Sequence, residues 1–341
     1  MQHPVIIRRT FGAVLACISA VVHDAVAQPV SGPFPTGKPV SLHVGSTPGG
    51  SNDATMRLVA RHLGRHLPGQ PNVIARNTPG AGGKRLAGII ANTAPRDGTE
   101  LAQLHRGVVI EQILGELTYK VQDLTWIGSP SSVTDTCIVW HTSRVQSLED
   151  ALQHEVVIGG TGNEAAQVHL LRRLTGAKVR GVSGYAGGSA MNLAIQRGEI
   201  DGRCSYSWES IRSFIPDWIR DKKVKPIVQF ALTRHPELPD VPLILDYAKT
   251  ELDRQALRLL LTREQFGFPV AAPPGLLPEV RDMLRAAFEK AMQDPALREE
   301  AAKIKFEIEP VSAETLQRAA DAAFAASPEA VARAKEFLGP N

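Results

Sequence analysis

The chain has 341 residues, 38 Lys and Arg against 35 Asp and Glu, and 43% hydrophobic residues. That length predicts two domains, each large enough to bury its own core. The formal charge of +3 is spread along the chain with no basic block, which argues against a nucleic-acid partner, and three cysteines are too few for a disulfide-built fold.

The first element is an address. Arg8 and Arg9 precede an apolar stretch from Phe11 to Val22, and Ala25-Val26-Ala27 is a small-x-small cleavage site. A helical stretch of that size reaches about 18 Å, short of the ~30 Å hydrocarbon core of a bilayer. Residues 1–27 therefore read as a secretory signal peptide cut before Gln28, which makes the protein exported and, by expectation, periplasmic. Val14-Leu15-Ala16-Cys17 loosely resembles a lipid-attachment site, but cutting there would leave a very short apolar region. Nucleotide and nicotinamide cofactors are cytosolic stocks, so no cofactor is expected.

After a leader over 28–37, strand and helix patterns alternate. Val40 to Gly45 predicts a strand, Pro48-Gly49-Gly50 a turn, and Ser51 or Asn52 the cap of a helix carrying Met56, Leu58, Val59 and Leu63 on one face. A strand over Asn72 to Arg76, the turn Pro79 to Gly83, a helix from Leu86 to Asn92 and a strand near Glu100 to Leu104 follow. A second series starts at Cys137 to Trp140. It continues with a strand at Val156 to Gly159, a helix from Ala165 to Leu174, a strand near Val179 and a helix from Ala190 to Gln196. Strands near Gly202 and Pro226 complete it. From about Leu252 the chain is helix-rich, with 3.6-residue periodicity over Pro278 to Gln293 and Ala313 to Ala325. The expected fold class is α/β with two lobes, each a mostly parallel sheet flanked by helices, and ligands at the Gly-rich turns beyond the strand ends.

Neither nucleotide motif is complete. At Pro79 to Arg85, Thr78 stands where a phosphate loop needs its first Gly, and Arg85 replaces the Ser/Thr that holds the metal. Gly160-Thr-Gly-Asn-Glu-Ala165 fits the dinucleotide fingerprint, but Lys178 to Tyr185 lacks the acidic ribose partner. What remains is physical: Gly49-Gly50, Gly80 to Gly83 and Gly159 to Gly162 expose backbone N–H groups at helix starts, which hold carboxylates as readily as phosphates. His62 and His66 lie one helical turn apart, yet Leu63 stands where a metalloprotease needs Glu and no third ligand is evident, so both read as solvated helix-surface residues and no metal is expected. No G-x-S-x-G elbow is present. Cys137 and Cys204 either pair or remain separate buried thiols. Tyr185 and Trp208 are core aromatics or walls of a pocket. Asp53 is either a first-turn residue favoured by the helix dipole or the group that orients the Gly49-Gly50 turn.

Thr47 to Asp53, Asn77 to Gly83 and Ala94 to Thr99 are similar, in order and spacing, to the periplasmic receptors of tripartite tricarboxylate transporters, also called Bug-type solute-binding proteins. The likeness continues through Thr161-Gly162, Gly184 to Ser189, Gly198 to Gly202, Pro239 to Pro242, Ala272 to Gly275 and Asp294-Pro295. It implies a type II periplasmic-binding-protein (Venus-flytrap) fold, lobe 1 being 38–134 plus 236–341 and lobe 2 being 135–235. It further implies a monomeric, non-enzymatic receptor that closes on a small organic acid. The implied ligand contacts are Pro48, Gly49, Gly50, Ser51, Asn52, Asp53, Gly80, Ala81, Thr161, Gly162, Asn163, Glu164, Tyr185, Gly187 and Ser189. The implied partner is a permease with one large and one small subunit. Ser51 and Asn52 depart from the family pattern, and Glu164 adds an acid that would repel a carboxylate unless it points away or meets a cationic group, so an amino acid or neutral amide stays open as ligand. The competing readings are a co-receptor presenting its ligand to a membrane sensor, and a secreted hydrolase or lyase using Asp53, Glu164 and a histidine.

Overall fold

The computed structural model describes residues 34–35, 37–160 and 164–339, so the signal peptide expected over 1–27 lies outside the described residues. In chain order the strands are β1 (Val40–Val44), β2 (Val73–Asn77), β3 (Glu100–Gln103), β4 (Thr125–Ser129), β5 (Asp135–Trp140), β6 (Val156–Gly160), β7 (Val179–Ser183), β8 (Gly202–Ser207), β9 (Val224–Phe230), β10 (Val270–Ala272) and β11 (Val311–Ser312). They form two sheets, one in the order β11-β4-β10-β3-β1-β2 and the other β7-β6-β8-β5-β9.

The βαβ units legible in the sequence build one side of each sheet. β1 alternates its side chains so that Val40, Leu42 and Val44 are wholly buried, and it pairs in parallel with β2 and β3. Helices Ser51–Leu63 and Lys84–Asn92 make the crossovers, the first burying Met56, Val59 and Leu63 at helical spacing. In the second sheet β6 pairs in parallel with β7 and β8, through helices Glu164–Thr175 and Gly188–Gln196.

The other side of each sheet is antiparallel, which corrects the expectation of mostly parallel sheets. β10 runs against β3 and β4, β11 against β4, and β5 against both β8 and β9. The physical reason lies in the connections. A parallel pair needs a crossover, usually a helix, to carry the chain back to the same end. Here β4 leads through residues 130–134 straight into β5 of the other sheet, and β10 inserts between β3 and β4 after helix Glu251–Phe266.

Both faces of each sheet are covered. Leu42, Met56, Phe268 and Phe288 form one core under the first sheet, and Ile138, Ile195, Ile211 and Trp218 form another under the second. A third, spanning both sheets, joins Trp126, Leu257 and Phe266 to Val139, Val156 and Phe230. Helix Glu251–Phe266 is fixed at its start by a capping box between Thr250 and Asp253, and Asp253 also receives Arg333 Nε at 2.7 Å, tying helix Pro328–Leu338 to it.

Candidate ligand-binding site

The first turn of the site joins β1 to helix Ser51–Leu63. The cap is Gly50, in extended conformation and without a side-chain bond to the helix, so Ser51 and Asn52 are first-turn residues rather than caps. The turn is held instead by Asp53, whose Oδ2 accepts the Gly49 N–H at 2.9 Å. Arg57 Nε donates to both oxygens of the same carboxylate at 3.0 Å, and Asn77 Nδ2 donates to Oδ1 at 2.9 Å and to the Ser46 carbonyl at 3.1 Å. Burial raises the Asp53 pKa, but the Arg57, Gly49 and Asn77 hydrogen bonds outweigh it and hold the carboxyl below its ordinary value. Asp53 therefore bolts the turn to β2 with its anionic capacity already spent.

The second turn, Gly80 to Gly83, opens helix Lys84–Asn92, with Gly83 N–H donating to the Gly80 carbonyl at 2.9 Å. Gly83 is left-handed (φ 99°), and a Cβ there would lie 3.0 Å from His105 Nδ1, so only glycine lets the turn sit against that ring. His105 Nε2 in turn bonds Glu111 Oε2 at 2.6 Å. Burial raises the Glu111 pKa, yet His105, Lys84 and Arg263 bring the carboxyl below its usual value. The third turn, Tyr185 to Gly187, starts helix Gly188–Gln196, again with a glycine cap that makes no side-chain bond. Behind it, Arg203 on β8 donates to the Gly188 carbonyl and to Asn192 Oδ1, each at 3.3 Å, and lies 4.1 Å over the Tyr206 ring.

These three turns face one cavity of about 1170 Å³ between the sheets. Gly49, Gly50, Ser51, Asn52, Gly80, Ala81, Tyr185, Gly187 and Ser189 line it; Pro48 and Asp53 do not. Thr161, Gly162 and Asn163 lie outside the described residues, as does the side chain of Glu164. Trp208 is buried, and its Nε1 donates to Glu237 Oε2 at 2.6 Å, away from the cavity lining. Cys137 on β5 and Cys204 on the neighbouring β8 are joined as a disulfide. The histidine pair is not the solvated surface feature expected: His62 is 5% exposed, covered by helix Pro295–Lys303, and its Nε2 meets Glu300 Oε2 at 2.6 Å, while His66 Nε2 meets Asp294 Oδ2 at 3.0 Å. No group of three or more His, Cys, Asp or Glu suited to a metal ion occurs among the described residues. Nor is any described helix long and apolar enough to cross a membrane.

The cavity also holds residues that no local motif signals. Arg106, following β3, donates through Nη1 to Asp135 Oδ1 at 2.8 Å and Glu264 Oε2 at 3.5 Å. Arg263 Nε lies 3.4 Å from Glu264 Oε1, and Gln167 Nε2 donates to Asp135 Oδ2 at 3.0 Å. Burial drives Glu264 well above the ordinary carboxyl value and nearby Glu209 up to about 7. Buried polar atoms without a hydrogen-bond partner gather here as well: Ser46 Oγ, His105 Nδ1, His169 Nδ1 and Ser205 Oγ all belong to lining residues.

Residues 55–327 match the family described as TctC, the tripartite tricarboxylate transporter family receptor. The chain is 27% identical over 316 residues to the "UPF0065 protein in gbd 5'region" of Cupriavidus necator, covering 89% of this chain and 88% of that one. Among solved structures it resembles MatC from Rhodopseudomonas palustris with bound malate (21% identity, TM-score 0.64, 88% of this chain and 98% of that one). It also resembles an R. palustris protein with adipate (20% identity, TM-score 0.66, 86% and 96%).

Proposed function

Because the chain belongs to the tripartite tricarboxylate transporter receptor family, we propose that it is a periplasmic receptor which captures a small carboxylate between its lobes and hands it to a permease of one large and one small subunit. The signal peptide over 1–27 carries it across the inner membrane, and it works as a monomer. Lobe 1 is 38–134 plus 236–341, and lobe 2 is 135–235. Malate and adipate in two structural relatives support the ligand class.

One observation carries this reading: glycine-capped helix starts from both lobes converge on one cavity. A helix start presents unsatisfied N–H groups and about half a positive charge, and caps without side-chain bonds leave those groups for a ligand. Binding an anion this way needs no side chain to ionise and alters no bond in the ligand. Contacts available only when both lobes touch the ligand favour the closed state. Calorimetry of the mature protein with a panel of mono-, di- and tricarboxylates tests the reading. A carboxylate binding in the micromolar range or tighter supports it, and its abolition by Gly50→Asp, which sets an anion at the first turn, locates the site. Failure of every carboxylate in the panel to bind rejects it.

A further inference from the structure

Lys84, Arg106, Arg203 and Arg263 supply the fixed positive charge of the cavity lining, and the first three are engaged. Lys84 Nζ donates to Glu116 at 2.7 Å, Arg106 Nη1 to Asp135 at 2.8 Å, and Arg203 Nη1 to the Gly188 carbonyl and Asn192 at 3.3 Å. Arg263, on helix Glu251–Phe266, differs: none of its nitrogens donates a hydrogen bond among the described residues. Its Nε is covered and unpartnered, whereas Nη1 and Nη2 keep accessible surface, and the side chain is 16% exposed at the cavity wall.

Acids stand near Arg263 without meeting it. Glu264 Oε1 lies 3.4 Å from Nε and Asp135 Oδ2 lies 3.8 Å from Nη2, neither of them as a hydrogen bond. Asp135 is committed elsewhere, to Arg106 through Oδ1 and to Gln167 through Oδ2. Glu111, whose carboxyl Arg263 also influences, bonds His105 at 2.6 Å. Burial works against the ionised form of Glu264 and raises its pKa well above the ordinary value, so it is a weak counter-charge. A guanidinium keeps its charge in any protein environment, and its planar fork matches a carboxylate with two parallel N–H···O bonds. Withdrawn from water without such a partner it is costly, and an anion arriving from the cavity removes that cost. The glycine turns stand at the ends of β1, β2 and β7, whereas Arg263 sits by Asp135, at the start of β5. The cavity of about 1170 Å³ takes in both places.

Resting on the receptor reading above, we infer that Arg263 selects a dianionic ligand: one carboxylate lies at the glycine turns, and the second pairs with Nη1 and Nη2 of Arg263. Calorimetry of the full mature chain with three matched pairs tests this: succinate and butyrate, adipate and hexanoate, suberate and octanoate. The tightest diacid is expected to bind at least tenfold better than its matched monoacid. Arg263→Gln should weaken that diacid at least tenfold while leaving the monoacid within twofold, so that the advantage of the second carboxylate disappears. Arg263→Lys keeps a charge beside Asp135 and Glu264 but loses the fork, and should retain only part of the advantage; it carries the test if Arg263→Gln does not fold. Monoacids that bind as tightly as their diacids overturn the inference and leave the receptor reading standing. A diacid advantage that survives both substitutions undiminished overturns the assignment to Arg263. Equal weakening of diacid and monoacid makes Arg263 a structural residue and overturns it as well. No binding by any of the six acids removes the receptor reading and this inference together.

Discussion

Thr47 of one lobe and Gly187 of the other touch across the mouth of the cavity: a Cβ on Gly187 would lie 2.6 Å from Thr47 Oγ1. Real side chains do not tolerate that separation, and the Gly187 backbone is extended, so contact rather than backbone strain excludes a larger residue. A branched substituent must therefore wedge the lobes apart or displace Thr47. Gly187→Val is expected to weaken ligand binding at least tenfold and to enlarge the radius of gyration in X-ray scattering with ligand present. Thr47→Ala in the same chain should recover part of the affinity, since it removes the atom that clashes. Unaltered affinity in Gly187→Val would show that this contact does not belong to the bound state.

The carboxylate of Asp53 organises a turn that lines the cavity, without lining it itself. Asp53→Asn keeps the shape but loses the charge that holds Arg57, and it offers an amide where Gly49 N–H needs an acceptor. Hydrogen bonds to charged groups contribute about 1.5–3 kcal/mol, so a loss of stability of about 2 kcal/mol is expected in urea unfolding. Affinity should fall too, because the Gly49-Gly50 amides lose their anchor. Stability lost with affinity retained would limit Asp53 to a structural role.

The division between what was readable and what was not follows the range of the interactions. Glycine turns ahead of amphipathic helices are local signals, so Ser51–Leu63, Lys84–Asn92 and Gly188–Gln196 could be placed to within a few residues, and nine of the expected contacts line the cavity. β4 passed unread because Thr125–Ser129 is buried on both faces and shows no alternation, and β10 because Val270–Ala272 is too short to carry a period. The charge cluster is a tertiary feature. Arg106, Asp135, Glu209 and Glu264 come from four separated segments, and no spacing rule joins them. His62 misled for the same reason, since the helix that covers it lies more than two hundred residues away.

Glu209 makes stability depend on pH in an unusual direction. Burial raises its pKa to about 7; the Thr134 N–H at 3.0 Å and Arg106 oppose the rise, and Asp135 adds to it, while His235 lies 3.7 Å away. Between the unfolded value near 4.5 and about 7, the native state binds more protons than the unfolded chain, so stability decreases as pH rises through that window. At about 1.4 kcal/mol per unit the loss is on the order of 3 kcal/mol. Carboxyls with lowered pKa values, such as Asp53 and Asp253, act oppositely, and their stabilisation is lost as pH falls through and below the unfolded carboxyl range. Urea midpoints from pH 4.5 to 8 should therefore decline for the native sequence, and Glu209→Gln should flatten the decline. A Glu209→Gln profile parallel to that of the native protein would assign the dependence to other groups.

The disulfide is the remaining lever on the second sheet. Cys137 and Cys204 lie 67 residues apart, and closing a loop of that size lowers the entropy of the unfolded chain by an amount worth about 4 kcal/mol. Cys204 sits between Arg203 and Ser205, both of which line the cavity, so the bond also steadies the strand that forms its floor. Reduction is expected to lower the thermal midpoint and, more modestly, ligand affinity. Cys137→Ala with Cys204→Ala should reproduce the loss of stability and abolish the response to reductant. A native protein whose melting is indifferent to reductant, while free-thiol titration shows the cysteines have become accessible, would mean that the cross-link contributes nothing to holding β5 against β8.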